Sequence, residues 1–269
     1  MEYWIEVEPG MEIFVNDMNP TASNTILMIH GWPANNNMFE YQYNPLGEMG
    51  YRLIGVDTRG FGNSSKPWSG YDYDRLADDI RHIIDALQLR NITLLGHSTG
   101  GSIALRYVAR HRGHHVGKLV LCAAAAPSLI KRPNFPYGAD PSVVTNIIET
   151  AYADRPQMLK NFGDIFFYRQ VSEPFSEWFF GMGLQAASWS TIAIARDWLA
   201  EELFYDMRMV NIPTLIMHGR HDQVVPYPLG LVQNKGIAGS KLITFENSGH
   251  GLFYDEKEKF NHALADFAG

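Results

Sequence analysis

Along the chain, short apolar runs alternate with stretches in which apolar residues recur every three or four positions. The runs are 25–29, 52–56, 92–95, 118–121, 214–217 and 242–245. Each has strand length and lacks the polar alternation of a strand wetted on one face, which predicts a parallel sheet covered by helices on both sides. Two earlier segments, 4–7 and 12–15, flank Pro9-Gly10 and read as an antiparallel hairpin. Leu76, Ile80, Ile83, Ile84 and Leu87 form one helical stripe, with Asp72 or Asp74 available to cap its start. Phe260, Ala263, Leu264 and Phe267 form another that should close the fold, with Asp255 and Glu256 expected in its first turn, where they suit the helix dipole.

The alternation stops between residues 128 and 209. This segment holds 15 of the chain's 34 aromatics, including Phe166, Phe167, Trp178, Phe179, Phe180, Trp189 and Trp198. We read it as a helical cap inserted into a core domain made of residues 1–127 and 210–269. Most of its aromatics should pack the cap onto the core, and some should line a cavity beneath it.

Composition narrows the function. The 269 residues carry a net charge of −7, which leaves no cationic excess to neutralise phosphates, so nucleic acid is not an expected partner. A lone Cys122 excludes an internal disulfide and agrees with a reducing compartment. No apolar run approaches the roughly 20 residues of a membrane span. Residues 1–6 also lack the basic and apolar regions of a secretion signal. The expectation is a cytoplasmic protein with no membrane partner; the sequence leaves its oligomeric state open.

The candidate chemistry begins at Gly96-His97-Ser98-Thr99-Gly100, a G-x-S-x-G pattern. The pattern is short, and its context gives it weight: residues 91–95 read as a strand and 99–110 as a helix, so Ser98 falls at a strand-to-helix turn. A tight turn of this kind tolerates little side chain two positions either side of the serine, which Gly96, Gly100 and Gly101 satisfy. The helix that follows directs free N–H groups at a developing oxyanion.

A serine hydroxyl needs a base near neutral pH. His250 lies in Asn247-Ser248-Gly249-His250-Gly251, directly after the last predicted strand, and its flanking glycines are expected to leave the ring accessible. Asp222, after the strand at 214–217, gives the order Ser, Asp, His and would fix the imidazole tautomer. The rival position after 118–121 offers Cys122 and four alanines, and no acid. The two oxyanion donors are then the N–H of Thr99 and that of Trp32 in His30-Gly31-Trp32-Pro33, because Pro33 has no N–H to give. The Trp32 indole is a candidate wall of an acyl pocket, and His30 reads as a hydrogen-bonded structural residue. Asp57-Thr58-Arg59-Gly60-Phe61-Gly62 lacks the Lys-Ser/Thr of a phosphate loop and reads as a structural turn. His111, His114 and His115 have no acidic cluster at ligand spacing in the sequence, so no metal and no cofactor are assigned.

Together these segments resemble the α/β-hydrolase superfamily over nearly the whole chain. Within it, His30-Gly31-Trp32-Pro33, the run from Asp57 to Ser65, the serine elbow and Ser248-Gly249-His250-Gly251-Leu252 are similar to the cofactor-free, non-haem chloroperoxidases and aryl esterases. The resemblance implies the α/β-hydrolase fold, with a mostly parallel eight-stranded sheet. It also implies hydrolysis of a small carboxylic ester or lactone through an acyl-enzyme on Ser98, and perhydrolysis when hydrogen peroxide replaces water, with Pro33 as a modest pointer to the latter. An acyl-lactone quorum-signal lactonase, a ligand sensor, a lyase and a cofactor-free dioxygenase stay open as alternatives on the same scaffold.

Overall fold

The computed structural model describes residues 1–269. β1 (Glu2–Glu8) and β2 (Met11–Met18) form the hairpin, turning at Gly10 with φ +73°. β3 (Asn24–Ile29), α1 (Glu40–Glu48), β4 (Tyr51–Val56), α2 (Tyr73–Ala86), β5 (Ile92–His97), α3 (Thr99–Arg110) and β6 (Val116–Cys122) follow in strand–helix alternation. Four helices then intervene: α4 (Pro141–Asp164), α5 (Glu173–Gln185), α6 (Ser188–Ala200) and α7 (Phe204–Met209). The alternation resumes with β7 (Thr214–Gly219), α8 (Pro228–Gly236) and β8 (Lys241–Phe245), and closes on the short α9 (Leu252–Asp255) and α10 (Lys257–Ala268).

The eight strands lie in the order β1-β2-β4-β3-β5-β6-β7-β8. β2 pairs antiparallel with β4, and from β4 to β8 every pairing is parallel. Their apolar residues are buried because helices cover both faces: Ile26 to Ile29, Leu94, Leu95 and Leu119 to Leu121 have essentially no exposure. The chain runs from β3 outward to β4, then crosses back to place β5 on the other side of β3. Ligands in open α/β sheets bind at the carboxyl ends of strands where this reversal occurs.

The helical stripe predicted on α2 faces the core through Leu76, Ile80, Ile83 and Ile84. Of the two candidate caps it is Asp72 that accepts from the Arg75 N–H, at 2.9 Å. Asp74 instead binds Arg106 and Arg110. The acidic first turn expected at the C-terminus does not form as read. α10 starts at Lys257, and Asp255 ends α9 as a buried acceptor, whereas Glu256 holds the N–H of Asn247 at 2.9 Å.

The helical insertion is tied to the core by a few polar contacts around an aromatic interior. Arg106 of α3 binds Asp74 of α2, Asp206 of α7 and Glu201, just beyond α6. At its other end α6 docks on the β4–α2 loop, where Ala187 N–H and Ser190 Oγ–H both donate to the Gly60 carbonyl at 2.9 Å. α4 bends at Asp154, whose φ of −153° is not helical, two residues before Pro156.

Asp197 of α6 sits in this interface with a buried Oδ2 that has no hydrogen-bond partner. Burial pushes its carboxyl up to about 7, and repulsion from Glu201 and Asp72 adds to the shift. The folded state therefore keeps a proton that the unfolded chain releases near pH 4, so this group erodes stability as pH rises from about 4 to about 7 and by a constant amount above. Urea unfolding of Asp197→Asn against wild type at pH 4, 5.5, 7 and 8 should show the variant gaining relative stability up to about pH 7 and then a level difference. A difference independent of pH would mean that Asp197 is ionised throughout.

Candidate active site

Ser98 joins β5 to α3 with φ 54° and ψ −119°, a conformation that residues with side chains rarely adopt. The neighbouring glycines show why the turn requires them. A methyl group on Gly96 would run into the Gly100 carbonyl, and one on Gly100 would run into the carbonyls of Ile29 and His30 at the end of β3. One on Gly31 would lie 3.0 Å from the Ser98 Cβ, so this glycine lets the loop carrying Trp32 pass directly beside the serine. Neither the Trp32 nor the Thr99 N–H donates to a protein acceptor, as two oxyanion donors require.

Asp222 and His250 come together from the loops after β7 and β8. The His250 Nδ1–H donates to Asp222 Oδ2 at 2.8 Å, and both side chains are fully buried. Asp222 Oδ1 accepts from the N–H groups of Val224 and Val225, each at 2.8 Å. Burial alone would raise the Asp222 carboxyl. The neighbouring His250 and His218 outweigh it and hold Asp222 well below the ordinary carboxylate range. With Nδ1–H directed at the carboxylate, the His250 Nε2 carries the ring's lone pair, and it is buried without a partner.

Glycines 249 and 251 do not leave the imidazole accessible as the sequence suggested. They make room for the cap: a methyl on Gly249 would crowd the Tyr168 N–H at 3.0 Å, and one on Gly251 would strike the Phe167 ring. Phe166 packs edge-on against His250, with centroids 4.9 Å apart. The imidazole is thus roofed by the cap.

Three supporting residues escaped the sequence reading. His97, adjacent to the serine, donates from Nε2 to the His250 carbonyl at 2.9 Å and so fixes the His250 loop against the end of β5. Burial, reinforced by the nearby His250, pushes its imidazole well below the usual value and keeps it neutral. His218 lies 3.4 Å from Asp222 Oδ2 while donating to the Val225 carbonyl at 2.9 Å. Asp255 accepts from the N–H groups of Gly249, Tyr168 and Arg169 at 2.8, 2.9 and 3.1 Å, joining the His250 loop to the cap. The only signal in the sequence was position: His97 fills the x before the serine, and His218 stands one β-strand end before Asp222.

His30 accepts the Thr58 N–H on Nε2 at 3.0 Å and is a buried structural group. Asp57 likewise closes its own turn, accepting from Asn36 and Asn63 at 2.8 Å. The fold brings Asp85 to His114 and His115, an acid that sequence spacing did not reveal. Its carboxylate is already bound by Arg81 at 2.6 Å and His114 at 2.9 Å, so these residues form a surface ion-pair group and not a ready cation site.

A cavity of about 50 Å³ opens beside Ser98, walled by Trp32, Leu129, Val144, Phe162, Trp198 and Val225. Larger depressions occur on the surface, and none of them includes Ser98: one is lined mainly by polar residues such as Glu40, Asn44 and Glu258, another by Trp68, Tyr152, Trp189 and Ile192. Thr99 and Gln223 are the polar residues that line the small cavity with Ser98.

The strain at Ser98 is open to measurement. Ser98→Gly should be more stable than Ser98→Ala by about 1 kcal/mol in urea unfolding, because glycine accepts φ 54° without the cost a Cβ imposes there, a gain partly offset by its greater freedom when unfolded. Equal stabilities would show that the turn is unstrained.

Comparison with known proteins identifies the fold. A family profile described as the alpha/beta hydrolase fold matches residues 24–153 and 132–257. The esterase EaEST from Exiguobacterium antarcticum superposes with a TM-score of 0.97 at 46% identity, covering 100% of this chain and 99% of that one. The AB hydrolase superfamily protein YisY of Bacillus subtilis is 45% identical over 268 residues, 100% of this chain and 99% of its own length. The non-heme chloroperoxidase CPO-A1 of Kitasatospora aureofaciens is 32% identical over 96% of both chains. On the family match, the sheet order and these relatives, the chain belongs to the α/β-hydrolase family.

Proposed function

We propose that this protein hydrolyses carboxylic esters of small apolar acids through an acyl-enzyme on Ser98. The observation that carries the reading is the buried Asp222–His250 pair, its loop held by His97 to the strand end that carries Ser98, together with that serine strained into an elbow lining an apolar cavity. The esterase and chloroperoxidase relatives support the same chemistry.

In this mechanism His250 Nε2 takes the Ser98 proton as Oγ attacks the ester carbonyl. The Trp32 and Thr99 N–H groups receive the negative charge that develops on the carbonyl oxygen, and Asp222 stabilises the imidazolium. His250 then returns the proton to the departing alcohol. Water enters, loses a proton to the same nitrogen, and releases the acid. A lactone follows the same path with its alcohol still tethered. Hydrogen peroxide in place of water would release a peracid, a second outcome favoured by the chloroperoxidase likeness. No helix is long and apolar enough to cross a membrane. The single Cys122, buried and unpaired, accords with a reducing compartment, and on that ground we place the enzyme in the cytoplasm.

Two measurements test the reading. A fluorophosphonate should add once, at Ser98, as read by intact mass and peptide mapping. Ser98→Ala should then lose at least about 10³-fold in kcat on p-nitrophenyl acetate and Asp222→Asn about 10³- to 10⁴-fold, with both proteins folded. Full activity in folded Ser98→Ala would overturn the mechanism. Because a cavity of about 50 Å³ holds only a few water-sized volumes, kcat/KM should fall from acetate and butyrate to octanoate esters. A preference rising with chain length would show that the cap opens to enlarge the pocket.

A further inference from the structure

One helix of the cap touches both candidate oxyanion residues. The Trp198 indole N–H donates to the Thr99 hydroxyl at 3.1 Å, and the Trp32 indole N–H donates to the Thr191 carbonyl at 3.1 Å. Thr191 and Trp198 lie seven positions apart on α6, two turns along one face. The two indoles also meet edge to face, with centroids 5.0 Å apart, and all four residues are buried. These contacts link the cap to Trp32 and Thr99, the two candidate oxyanion donors, which line the cavity with Ser98.

α6 is itself anchored independently of these contacts. Its N-terminal end is fixed to the Gly60 carbonyl by Ala187 and Ser190, and its C-terminal end is fixed through Glu201 to Arg106. The helix is held at both ends by the core and reaches the oxyanion residues from between them. A threonine hydroxyl at the first position of α3 is free to rotate into the cavity or towards the backbone; an indole N–H donating into it fixes one rotamer.

We propose that α6 positions the oxyanion hole, with Trp198 acting on Thr99 and Thr191 acting on Trp32. Trp198 and Thr191 are positioning residues, since neither is required to touch the reacting atoms. The cap then contributes to the rate of the chemical step as well as to the shape of the pocket. The inference rests on the serine-hydrolase reading of the site.

The test is a double-mutant cycle on p-nitrophenyl acetate with Trp198→Phe, Thr99→Val and the pair. Phenylalanine keeps an aromatic ring and removes the indole N–H; valine keeps the Thr99 shape and its backbone N–H and removes the acceptor. Each single variant should lower kcat by about tenfold, the scale of one lost buried hydrogen bond, with KM within twofold of wild type. Binding of a trifluoromethyl ketone, which forms an oxyanion on Ser98, should weaken by the same factor. The double variant should be no slower than the slower single, because both changes remove one interaction. Thr99→Ser, which restores the hydroxyl, should recover most of the rate.

Fold-losses that multiply in the double variant, or a KM increase with kcat unchanged, would show that Trp198 only fills the pocket and would overturn the proposal. If Trp198→Phe does not fold, the comparison of Thr99→Val with Thr99→Ser decides: loss in the first and recovery in the second support it, and equal rates overturn it. Wild-type protein that neither turns over nor labels at Ser98 would refute the hydrolase reading itself, whereas active wild type with a multiplicative cycle refutes the positioning role alone.

Discussion

The approach of α3 to the end of β3 is the constraint on which the site depends. At Gly100 the helix backbone lies so close to the carbonyls of Ile29 and His30 that no Cβ fits between them, and at Gly96 the chain folds back against its own next turn. Backbone atoms pack on backbone atoms there. The serine between these glycines has to accept φ 54° because the chain has no other way to turn from strand into helix within one residue. The same approach brings the β3 loop alongside the first turn of α3, so that Trp32 and Thr99, whose N–H groups have no protein acceptor, both line the cavity with Ser98. A methyl group at Gly100 would press on the backbone of Ile29 and His30 and open this junction without meeting the Ser98 side chain.

The remainder of the site is a set of buried polar residues, each held by at least one specific neighbour. An ionised Asp222 with no exposure is costly unless it is surrounded by donors. Here two N–H groups hold one oxygen, and the His250 ring, with His218 near by, holds the other. His97 then fixes the His250 loop through its carbonyl, and Asp255 fixes it through the Gly249 N–H. The orientation of the base is thus set from three directions by groups that do not take part in proton transfer. This arrangement leaves one polar atom of the ring, Nε2, without a partner, and that atom is the one the proposed mechanism uses.

These two layers differ in how far the sequence reveals them. The strands were readable because helices bury both of their faces, which turns them into unbroken apolar runs, and Ser98, Asp222 and His250 stood out because loops follow those runs at set points. α1 was not readable: it carries Pro45 and Gly47 and buries only a narrow face. The start of α10 was misplaced because Asp255 and Glu256 look like a dipole-favourable first turn, yet each is engaged by the loop around His250, a pairing that only the folded chain creates. The role of the glycines beside His250 was misread for the same reason, since the cap residues that need the space lie some 80 positions earlier. The bond from Trp198 to Thr99 spans 99 positions, and neither a lone tryptophan in an aromatic-rich segment nor a threonine in a serine elbow signals it.

The small apolar cavity also bears on the second half of the proposed reaction. With about 50 Å³ beside Ser98, it holds only a few water-sized volumes. In the proposed mechanism the second nucleophile follows the departing alcohol into space whose polar lining, besides Ser98, is Gln223 and Thr99. A nucleophile in such a place is selected chiefly by its ability to reach Nε2 and give up a proton, and only weakly by other contacts. Water and hydrogen peroxide both meet that condition and differ little in size. Under the proposed mechanism, the same walls would thus leave the choice between hydrolysis and perhydrolysis to the concentration and nucleophilicity of what diffuses in.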